Sequence, residues 1–293
     1  AYIDGGCVLL AENTHKVKKQ AMTFARWCEQ EQVDIVMAIN SVAILSALPY
    51  LPKCIRVLSR CANAFDKGYR VTMSCRERLM RIIALTPRLQ KDLINRYGAD
   101  PDMIHLIPNG IDPALFQKVK ASGQRAEGRD HGAAPVKYAS LILHAKEGSA
   151  SELCSADFTV QEGQAPEVIQ LGYMGRLEHK QKGVLYLPEI VRRLKQLRTP
   201  FKLRIAGKGI HRSILEKELK PYTASGEVEF LGAIMKDKVP GFLKSIDIYL
   251  FTSHFEGCPN ALLEAMMAGC APVAFLIDGI TDFVLEHNHT GLI

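Results

Sequence analysis

Two carboxylates lie eight positions apart in the segment HFEGCPNALLEAMMAGC, which spans 254–270. Glu256 precedes a Gly-Cys-Pro turn, and Glu264 falls inside a helical pattern whose first position is predicted to be Pro259. The first turn of a helix presents backbone N–H groups that bind anions. The predicted donors of this anion site are the N–H groups of Gly257, Cys258 and Asn260. A carboxylate beside an anion is unfavourable unless it binds something neutral and hydroxylated, and sugar hydroxyls meet that requirement.

A second segment, GYMGRLEHKQKG at 172–183, supplies the matching positive charge. Gly175 ends a predicted strand, Arg176 follows it directly, and Lys182 precedes the next predicted helix. A guanidinium and an ammonium that meet at one site can neutralise the charge that develops on a departing diphosphate. The two segments together predict a site for a sugar carried on a diphosphate.

Short apolar runs alternate with amphipathic helical stretches in both halves of the chain, which indicates an α/β fold with buried parallel strands. In the first half the predicted elements are strands at 34–39, 55–59, 81–86 and 103–108, and a helix at 87–97. In the second half the predicted strands are 168–175, 201–207, 228–232, 246–253 and 271–275, and the predicted helices are 184–197, 211–220, 237–245 and 259–268, the last ended by Gly269. Doubly wound sheets bind ligands at the carboxyl ends of their strands, where both segments lie.

The middle of the chain has a different composition. Residues 117–167 are rich in Gly, Ala, Ser and charged side chains, with one predicted strand pair at 137–145. A stretch of this length is unusual inside a compact unit, so it is interpreted as a linker or insertion. The predicted domains are therefore 1–116 and 168–293.

The charge balance favours an anionic ligand or a membrane surface over nucleic acid. The chain has 293 residues and a net charge of +6, from 37 basic and 31 acidic residues without a long block of one sign. No apolar stretch approaches the roughly 20 residues that span a bilayer. The eight cysteines lack metal-ligand spacing, which is typical of free thiols in a reducing cytosol.

Five motifs, in order, resemble one known family. They are Gly-Arg…Lys-Gly, Ala-Gly-x-Gly, Phe-Leu-Gly, Glu-Gly-x-Pro-Asn-x-Leu-Leu-Glu-Ala-Met and Gly-x-x-x-Val. Together they resemble the donor-binding domain of the retaining glycosyltransferases of family 4, which have the GT-B fold, and Glu256-x7-Glu264 is the signature of that family. In the first half, IALTPRLQKDL (83–93) and IPNGID (107–112) resemble the last strands of the acceptor-side domain and its hinge.

The resemblance implies two doubly wound, Rossmann-like domains that face a cleft, the first of them incomplete. It implies an enzyme that moves a hexose from a nucleotide diphosphate sugar to an acceptor hydroxyl with retention of configuration. Arg176 and Lys182 would hold the diphosphate, Glu256 the hydroxyls of the transferred sugar, and Glu264 the ribose hydroxyls. The other implied donor contacts are Gly175, Leu231, Gly232, Gly257, Cys258 and Asn260, with Leu231 and Gly232 near the base.

The implied partners follow from the same resemblance. They are a nucleotide-sugar donor and a glycan or lipid-linked acceptor, as in the synthesis of cell-envelope polysaccharide, and no nucleic acid. We expect a cytoplasmic protein, with peripheral contact at the inner face of the membrane through the basic run HKVKKQ at 15–20. No cofactor and no metal are expected, because Arg176 and Lys182 can neutralise the leaving group and no Asp-x-Asp motif accompanies them.

The sequence departs from the family pattern in its first half. The family's Gly-rich loop has no counterpart, and Arg60-Cys61-Ala62-Asn63 stands where many members have a His after the strand at 55–59. We expect a fragment that lacks two strand–helix units at its start, on the order of 60 residues, and the final helices at its end. Such a fragment would bind the donor and transfer sugar poorly. The alternatives are a GT-B nucleotide-sugar epimerase and a non-catalytic nucleotide-sugar-binding subunit.

Three further residues near these motifs are given ordinary roles. His254 has no Cys or Asp partner at metal-ligand spacing, and it is interpreted as a packing or hydrogen-bonding residue. Lys180 and Lys208 are interpreted as solvated surface residues.

Overall fold

The computed structural model of the chain describes residues 16–39, 41–117 and 168–293. The predicted strand pair at 137–145 lies outside these residues, as do Cys7 and Cys154. The chain divides into two compact units, Ala1–Asn109 and Gly110–Ile293.

The first unit contains a parallel sheet of four strands that lie in sequence order. The strands are β1 (Ile35–Ile39), β2 (Arg56–Cys61), β3 (Arg81–Ala84) and β4 (Ile104–Leu106). Every strand predicted in this half is confirmed; β1, β3 and β4 are shorter than predicted, whereas β2 continues two residues further, to Cys61. In β2 and β3 burial alternates along the strand, so that one face of the sheet packs into the core.

The helices of the first unit are α1 (Val17–Gln30), α2 (Val42–Ala47), α3 (Asp66–Thr72) and α4 (Pro87–Tyr97), with 3-10 turns at Leu48–Tyr50, Arg76–Arg78 and Pro101–Met103. The prediction of a helix at 87–97 is confirmed. Pro87 stands in its first turn, where a missing N–H costs nothing, and Gly98 ends it with a left-handed φ of 65°.

The second unit contains five parallel strands, again as predicted. They are β5 (Ile169–Met174), β6 (Phe201–Ala206), β7 (Val228–Gly232), β8 (Ile248–Phe251) and β9 (Ala271–Ala274). Their order in the sheet is β7-β6-β5-β8-β9, so the chain winds one way from β5 and then returns to the other side of it at β8. The sheet is therefore doubly wound, and its topological switch point lies between β5 and β8.

The helices of the second unit are α5 (Ala114–Gln117), α6 (His179–Lys182), α7 (Leu187–Gln196), α8 (Arg212–Glu218), α9 (Lys220–Ala224), α10 (Val239–Lys244), α11 (Asn260–Met267) and α12 (Thr281–Val284), with 3-10 turns at Val184–Tyr186 and Lys236–Lys238. The helix predicted at 211–220 is confirmed as the shorter α8, and a further helix that was not predicted, α9, begins at Lys220. Pro221 has no N–H to continue the α8 ladder and stands instead in the first turn of α9.

The core of the second unit holds the two strands that flank the switch point. Leu171 of β5 and Ile248 of β8 are neighbours in the sheet, and both are buried against the apolar face of α7. A side chain at Gly172 would clash with Ile246, so β5 packs closely against the residues that lead into β8. This packing fixes the positions from which the two site-bearing loops depart.

Candidate functional site

The loops that follow β5 and β8 lie side by side at one edge of the sheet. Residues Leu171 and Gly172 of β5 pair in parallel with Ile248 and Tyr249 of β8, so the carboxyl ends of both strands point the same way. The Tyr249 hydroxyl donates to the Met174 carbonyl at 2.9 Å and joins the strands near that edge. The two segments predicted to form the site therefore meet at the switch point.

Lys182 and Glu256 form an ion pair between these loops. Lys182 Nζ lies 2.5 Å from Glu256 Oε1, and the exposed fractions of the two side chains are 20% and 8%. Gln181 Nε2 donates to the other carboxylate oxygen, Glu256 Oε2, at 3.5 Å. A carboxylate this deeply buried needs such partners, because its desolvation is otherwise uncompensated. The cation predicted to bind diphosphate and the carboxylate predicted to bind sugar are thus in direct contact.

Backbone hydrogen bonds hold α6, which carries Lys182, on the loop after β8. The Thr252 hydroxyl donates to the Lys182 carbonyl at 2.8 Å, and the His254 N–H donates to the Gln181 carbonyl at 2.8 Å. Gly183 follows α6 with a φ of 60°, and a side chain there would clash with the Thr252 carbonyl oxygen. The carboxylate of Glu178 caps the start of α6 by accepting from two N–H groups. These contacts fix the direction in which Lys182 points.

Arg176 lies on the exposed surface beside a shallow depression of about 250 Å³. The Gly175 N–H donates to the Ala206 carbonyl at 3.0 Å, and the Leu177 N–H donates to the Lys208 carbonyl at 2.9 Å. These hydrogen bonds join the carboxyl ends of β5 and β6. Arg176 and Lys208 both lie at the rim of the depression. The residues that line the depression are Met174, Gly175, Arg176, Ala206, Gly207, Lys208, Ala233 and Ile234.

The sequence interpretation gave Lys208 the role of a solvated surface residue. Lys208 does lie exposed, but it shares the depression with Arg176. The Ala-Gly-x-Gly turn at the end of a predicted strand was the signal that could have identified it. Leu231 and Gly232 end β7, and it is the next two residues, Ala233 and Ile234, that line the depression.

Glu264 is half-buried on α11, in the second turn of that helix. Burial raises the pKa of its carboxyl group, and the positive charge of Lys236 acts in the opposite direction. Within the part of the chain that the structure describes, no hydrogen bond to this carboxylate is made. Glu264 therefore differs from Glu256, whose oxygens are both engaged.

The start of α11 differs from the prediction at two positions. Pro259, predicted as the first helical residue, precedes the helix with φ −82° and ψ 64°. These angles are those of an inverse γ-turn, and the Asn260 N–H accordingly donates to the Cys258 carbonyl at 2.9 Å. The prediction of a free Asn260 N–H is therefore wrong. Gly269 follows α11 with a φ of 81°, as predicted for the residue that ends the helix.

The described residues contain neither a cluster of metal ligands nor a membrane-spanning helix. Within 16–39, 41–117 and 168–293, no three His, Cys, Asp or Glu side chains are placed to bind one metal ion. Among the helices of these residues, none has the length and apolar character needed to cross a bilayer.

Two family descriptions match the chain. Residues 10–115 match the family described as Glycosyltransferase Family 4, and residues 169–293 match the family described as Glycosyl transferases group 1. The two matches fall in the first and second units respectively, apart from the few residues after Asn109.

Curated relatives share limited identity with the chain. The 2-deoxystreptamine glucosyltransferase of Streptomyces kanamyceticus is 25% identical over 203 residues, which are 69% of this chain and 44% of that protein. An α-1,4-N-acetyl-D-galactosaminyltransferase of Campylobacter jejuni, named for a glycan on diphosphoundecaprenol, is 30% identical over 122 residues, which are 41% of this chain and 33% of that protein. The chain thus spans less than half the length of these relatives.

Among solved structures, that of Anabaena HepE in complex with UDP and glucose is similar, with a TM-score of 0.63 and 17% identity. The likeness covers 94% of this chain and 68% of that one. It shows the fold, which is that of the GT-B glycosyltransferases with their Rossmann-like domains.

Proposed function

Because the chain belongs to the glycosyltransferases of the GT-B fold, we propose that it transfers a hexose from a nucleoside diphosphate sugar to an acceptor hydroxyl with retention of configuration. The observation that carries this proposal is the buried Lys182–Glu256 pair at the switch point of the second sheet. Switch points are where doubly wound sheets bind nucleotides. The pair places an ammonium and a carboxylate where a diphosphate and its sugar would meet.

The charges around the pair suit a diphosphate. Lys182 and Glu256 neutralise each other, so the net positive charge at this edge comes from the exposed Arg176 and Lys208. These two cations would attract the donor, and Arg176 and Lys182 would stabilise the charge that develops as the diphosphate departs. The depression beside Arg176 and Lys208 is also lined by Gly175 and Gly207, which let a ligand approach the backbone closely.

The two carboxylates would then bind different parts of the donor. Glu256, oriented by Lys182 and Gln181, would accept hydrogen bonds from the transferred sugar. Glu264, to which the described residues donate no hydrogen bond, would accept them from the ribose hydroxyls. The reaction would form a bond between the acceptor oxygen and the anomeric carbon on the face from which the diphosphate leaves. The acceptor's proton would pass to the departing phosphate oxygen.

The acceptor we propose is a glycan or a lipid-linked glycan. The Campylobacter jejuni relative, named for a diphosphoundecaprenol-linked glycan, supports this class. The exposed Lys18 and Lys19 on α1 support peripheral contact with anionic lipid. We propose a cytoplasmic protein that acts in polysaccharide or glycan biosynthesis.

The experiment is a thermal-shift panel of nucleoside diphosphate sugars, followed by product analysis by NMR. A true donor at one hundred times its dissociation constant stabilises the folded state by about 2.7 kcal/mol. Glu256→Gln should spare affinity for the free nucleoside diphosphate and weaken affinity for the complete sugar donor. An α-linked product from an α-linked donor would support retention. Conversion of the donor without an added acceptor would instead identify an epimerase. Binding without turnover in the full-length protein would identify a binding subunit.

A further inference from the structure

Three histidine rings cluster beside the helix that carries Lys182. The His179 ring centroid lies 5.2 Å from that of His254 and 6.3 Å from that of His211. The three residues come from separate segments: His179 begins α6, His211 immediately precedes α8, and His254 lies in the loop after β8. The cluster thus joins α6, which carries Lys182, to the segment before α8 and to the loop after β8.

Two of these rings use Nδ1 as a hydrogen-bond acceptor. His179 Nδ1 accepts from the Leu185 N–H at 3.3 Å, and His211 Nδ1 accepts from the His179 N–H at 3.3 Å. An imidazole nitrogen accepts only when it carries no proton, and both nitrogens are donors in the imidazolium form. Both rings must therefore be neutral, with the proton on Nε2, for these two hydrogen bonds to exist.

His254 has the opposite arrangement. Its Nδ1 lies 3.1 Å from the Lys180 carbonyl oxygen, which can only accept, so this nitrogen carries the proton. The His254 hydrogen bond uses a ring N–H as its donor, whereas those of His179 and His211 require an unprotonated Nδ1.

The two proton-sensitive hydrogen bonds lie on either side of Lys182. The His211 ring accepts a hydrogen bond from the N–H of His179, the first residue of α6. The His179 ring accepts one from Leu185, three residues beyond Lys182. We propose that His179 and His211 are positioning residues of the donor site, whose neutral rings hold α6 so that Lys182 reaches Glu256 and the donor diphosphate. The identity of the ligand rests on the proposed function, whereas the role of the two rings rests on their own hydrogen bonds.

Acid should weaken this arrangement. The groups that face His179 are His254 from the loop after β8, His211 from the segment before α8, and Tyr186 and Glu178 from its own segment. Burial and the two neighbouring imidazoles lower the pKa of His179, while Glu178 and a hydrogen bond with the Gly183 backbone act in the opposite direction. Once His179 is protonated, the Leu185 N–H faces a second donor, and the segment that carries Lys182 loses that anchor.

The test compares the parent with the double variant His179→Asn and His211→Asn. The Asn side-chain oxygen can occupy the place of Nδ1 as an acceptor, and it does not titrate. Affinity for UDP-glucose is measured by calorimetry at about pH 7.5 and about pH 5.5, which bracket the ordinary pKa of His. UDP-glucose is chosen because a diphosphate esterified at both ends takes up no proton in this range.

We expect the parent to lose about two- to tenfold in affinity at the lower pH, the range for one neutral hydrogen bond, and the double Asn variant to lose much less. His179→Phe, which has no acceptor, should bind weakly at both pH values. His105→Asn, an exposed histidine of the first unit, is the matched control and should behave like the parent. A double Asn variant that keeps the whole acid loss of the parent would overturn the proposal.

A second measurement tests the positioning role of His179 and His211 independently of the ligand. Nitrogen-15 NMR of the imidazoles should find the Nε2–H tautomer at His179 and His211 and the Nδ1–H tautomer at His254. The Leu185 amide resonance should shift as His179 titrates. If UDP-glucose binds no variant, including the parent, the assumed donor is wrong, and the tautomers still test the positioning role. An Nδ1–H tautomer at His179 would refute it even if UDP-glucose binds.

Discussion

Lys182 Nζ and Glu256 Oε1 lie 2.5 Å apart across a sequence separation of 74 residues. The contact joins the loop after β5 to the loop after β8, and it makes each residue the main electrostatic partner of the other. Under the proposed function, a donor diphosphate would share Lys182 with Glu256. The pair would then act as one preorganised unit, with its ammonium toward the phosphates and its carboxylate toward the sugar.

The pair should show strong coupling in a double-mutant cycle. Lys182→Met leaves the Glu256 carboxylate buried without its cation, and we expect it to cost about 2 kcal/mol. This is less than the roughly 3–5 kcal/mol for a fully buried pair, because Lys182 is 20% exposed. Adding Glu256→Gln should recover part of that loss, since the variant no longer buries a charge. Urea unfolding of the four proteins measures the coupling. Strict additivity of the two single changes would show that the pair contributes nothing to stability.

The strands of both units could be predicted because each is a short apolar run bounded by turn residues. β5 is an example: Ile169–Met174 lies between a charged stretch and Gly175, and it was predicted at 168–175. The position of the site also followed from sequence, since Arg176 and Glu256 come after predicted strands of one doubly wound sheet. Local sequence patterns predicted the strands, and the switch-point rule predicted the edge of the sheet where the two segments meet.

The contacts within the site could not be predicted in the same way. The Lys182–Glu256 pair depends on the register of β5 against β8, which periodicity does not reveal. The inverse γ-turn at Pro259 depends on a ψ angle that proline leaves open, since its ring fixes only φ. Helical propensity likewise did not reveal the short helix α9 (Lys220–Ala224).

Glu264→Gln should separate stability from ligand binding. Burial raises the folded-state pKa of Glu264 above its unfolded value, so the folded state binds more protons between the two values. Its contribution to stability is full below the unfolded pKa and is lost as the pH rises through the folded pKa. The Gln variant should therefore be more stable than the parent at about pH 7 and equally stable at about pH 3, where both side chains are neutral.

The same variant should bind the nucleotide more weakly. A neutral amide replaces a charged acceptor of the ribose hydroxyls, which costs roughly 1 kcal/mol, about fivefold in affinity. Urea unfolding at the two pH values and calorimetry with the nucleoside diphosphate measure the two effects. Reduced stability at pH 7 would contradict the cost of burying the Glu264 charge, and unchanged affinity would remove Glu264 from the predicted ribose contact.

Gly183→Ala should destabilise the second unit more than a Gly→Ala change at a left-handed glycine with open space around it. Gly183 has a φ of 60° and touches the Thr252 carbonyl, so the change adds overpacking of about 1–3 kcal/mol to left-handed strain of about 1–2 kcal/mol. Gly226→Ala is the matched control, because Gly226 has a φ of 79° with no atom within 4 Å of the added Cβ. Gly226→Ala should lose only the free energy that left-handed strain costs. Equal losses in urea unfolding for the two variants would mean that the contact between α6 and the loop after β8 is loose.

Arg176 and Lys208 should contribute to the donor site in ways that salt distinguishes. Arg176→Ala should lower kcat of the full-length enzyme by a factor on the order of 10² to 10³, as expected for a preorganised stabiliser of developing charge. The loss should be smaller for a donor with a better leaving group.

Lys208→Ala should mainly weaken donor binding. Because this cation is exposed, the affinities of parent and variant should converge as salt approaches about 1 M, where the Debye length is about 3 Å. Lys180→Ala is the control, since Lys180 is equally exposed but does not line the depression. If Lys180→Ala weakens binding as much as Lys208→Ala does, the effect is one of overall charge, and the depression is not the diphosphate site.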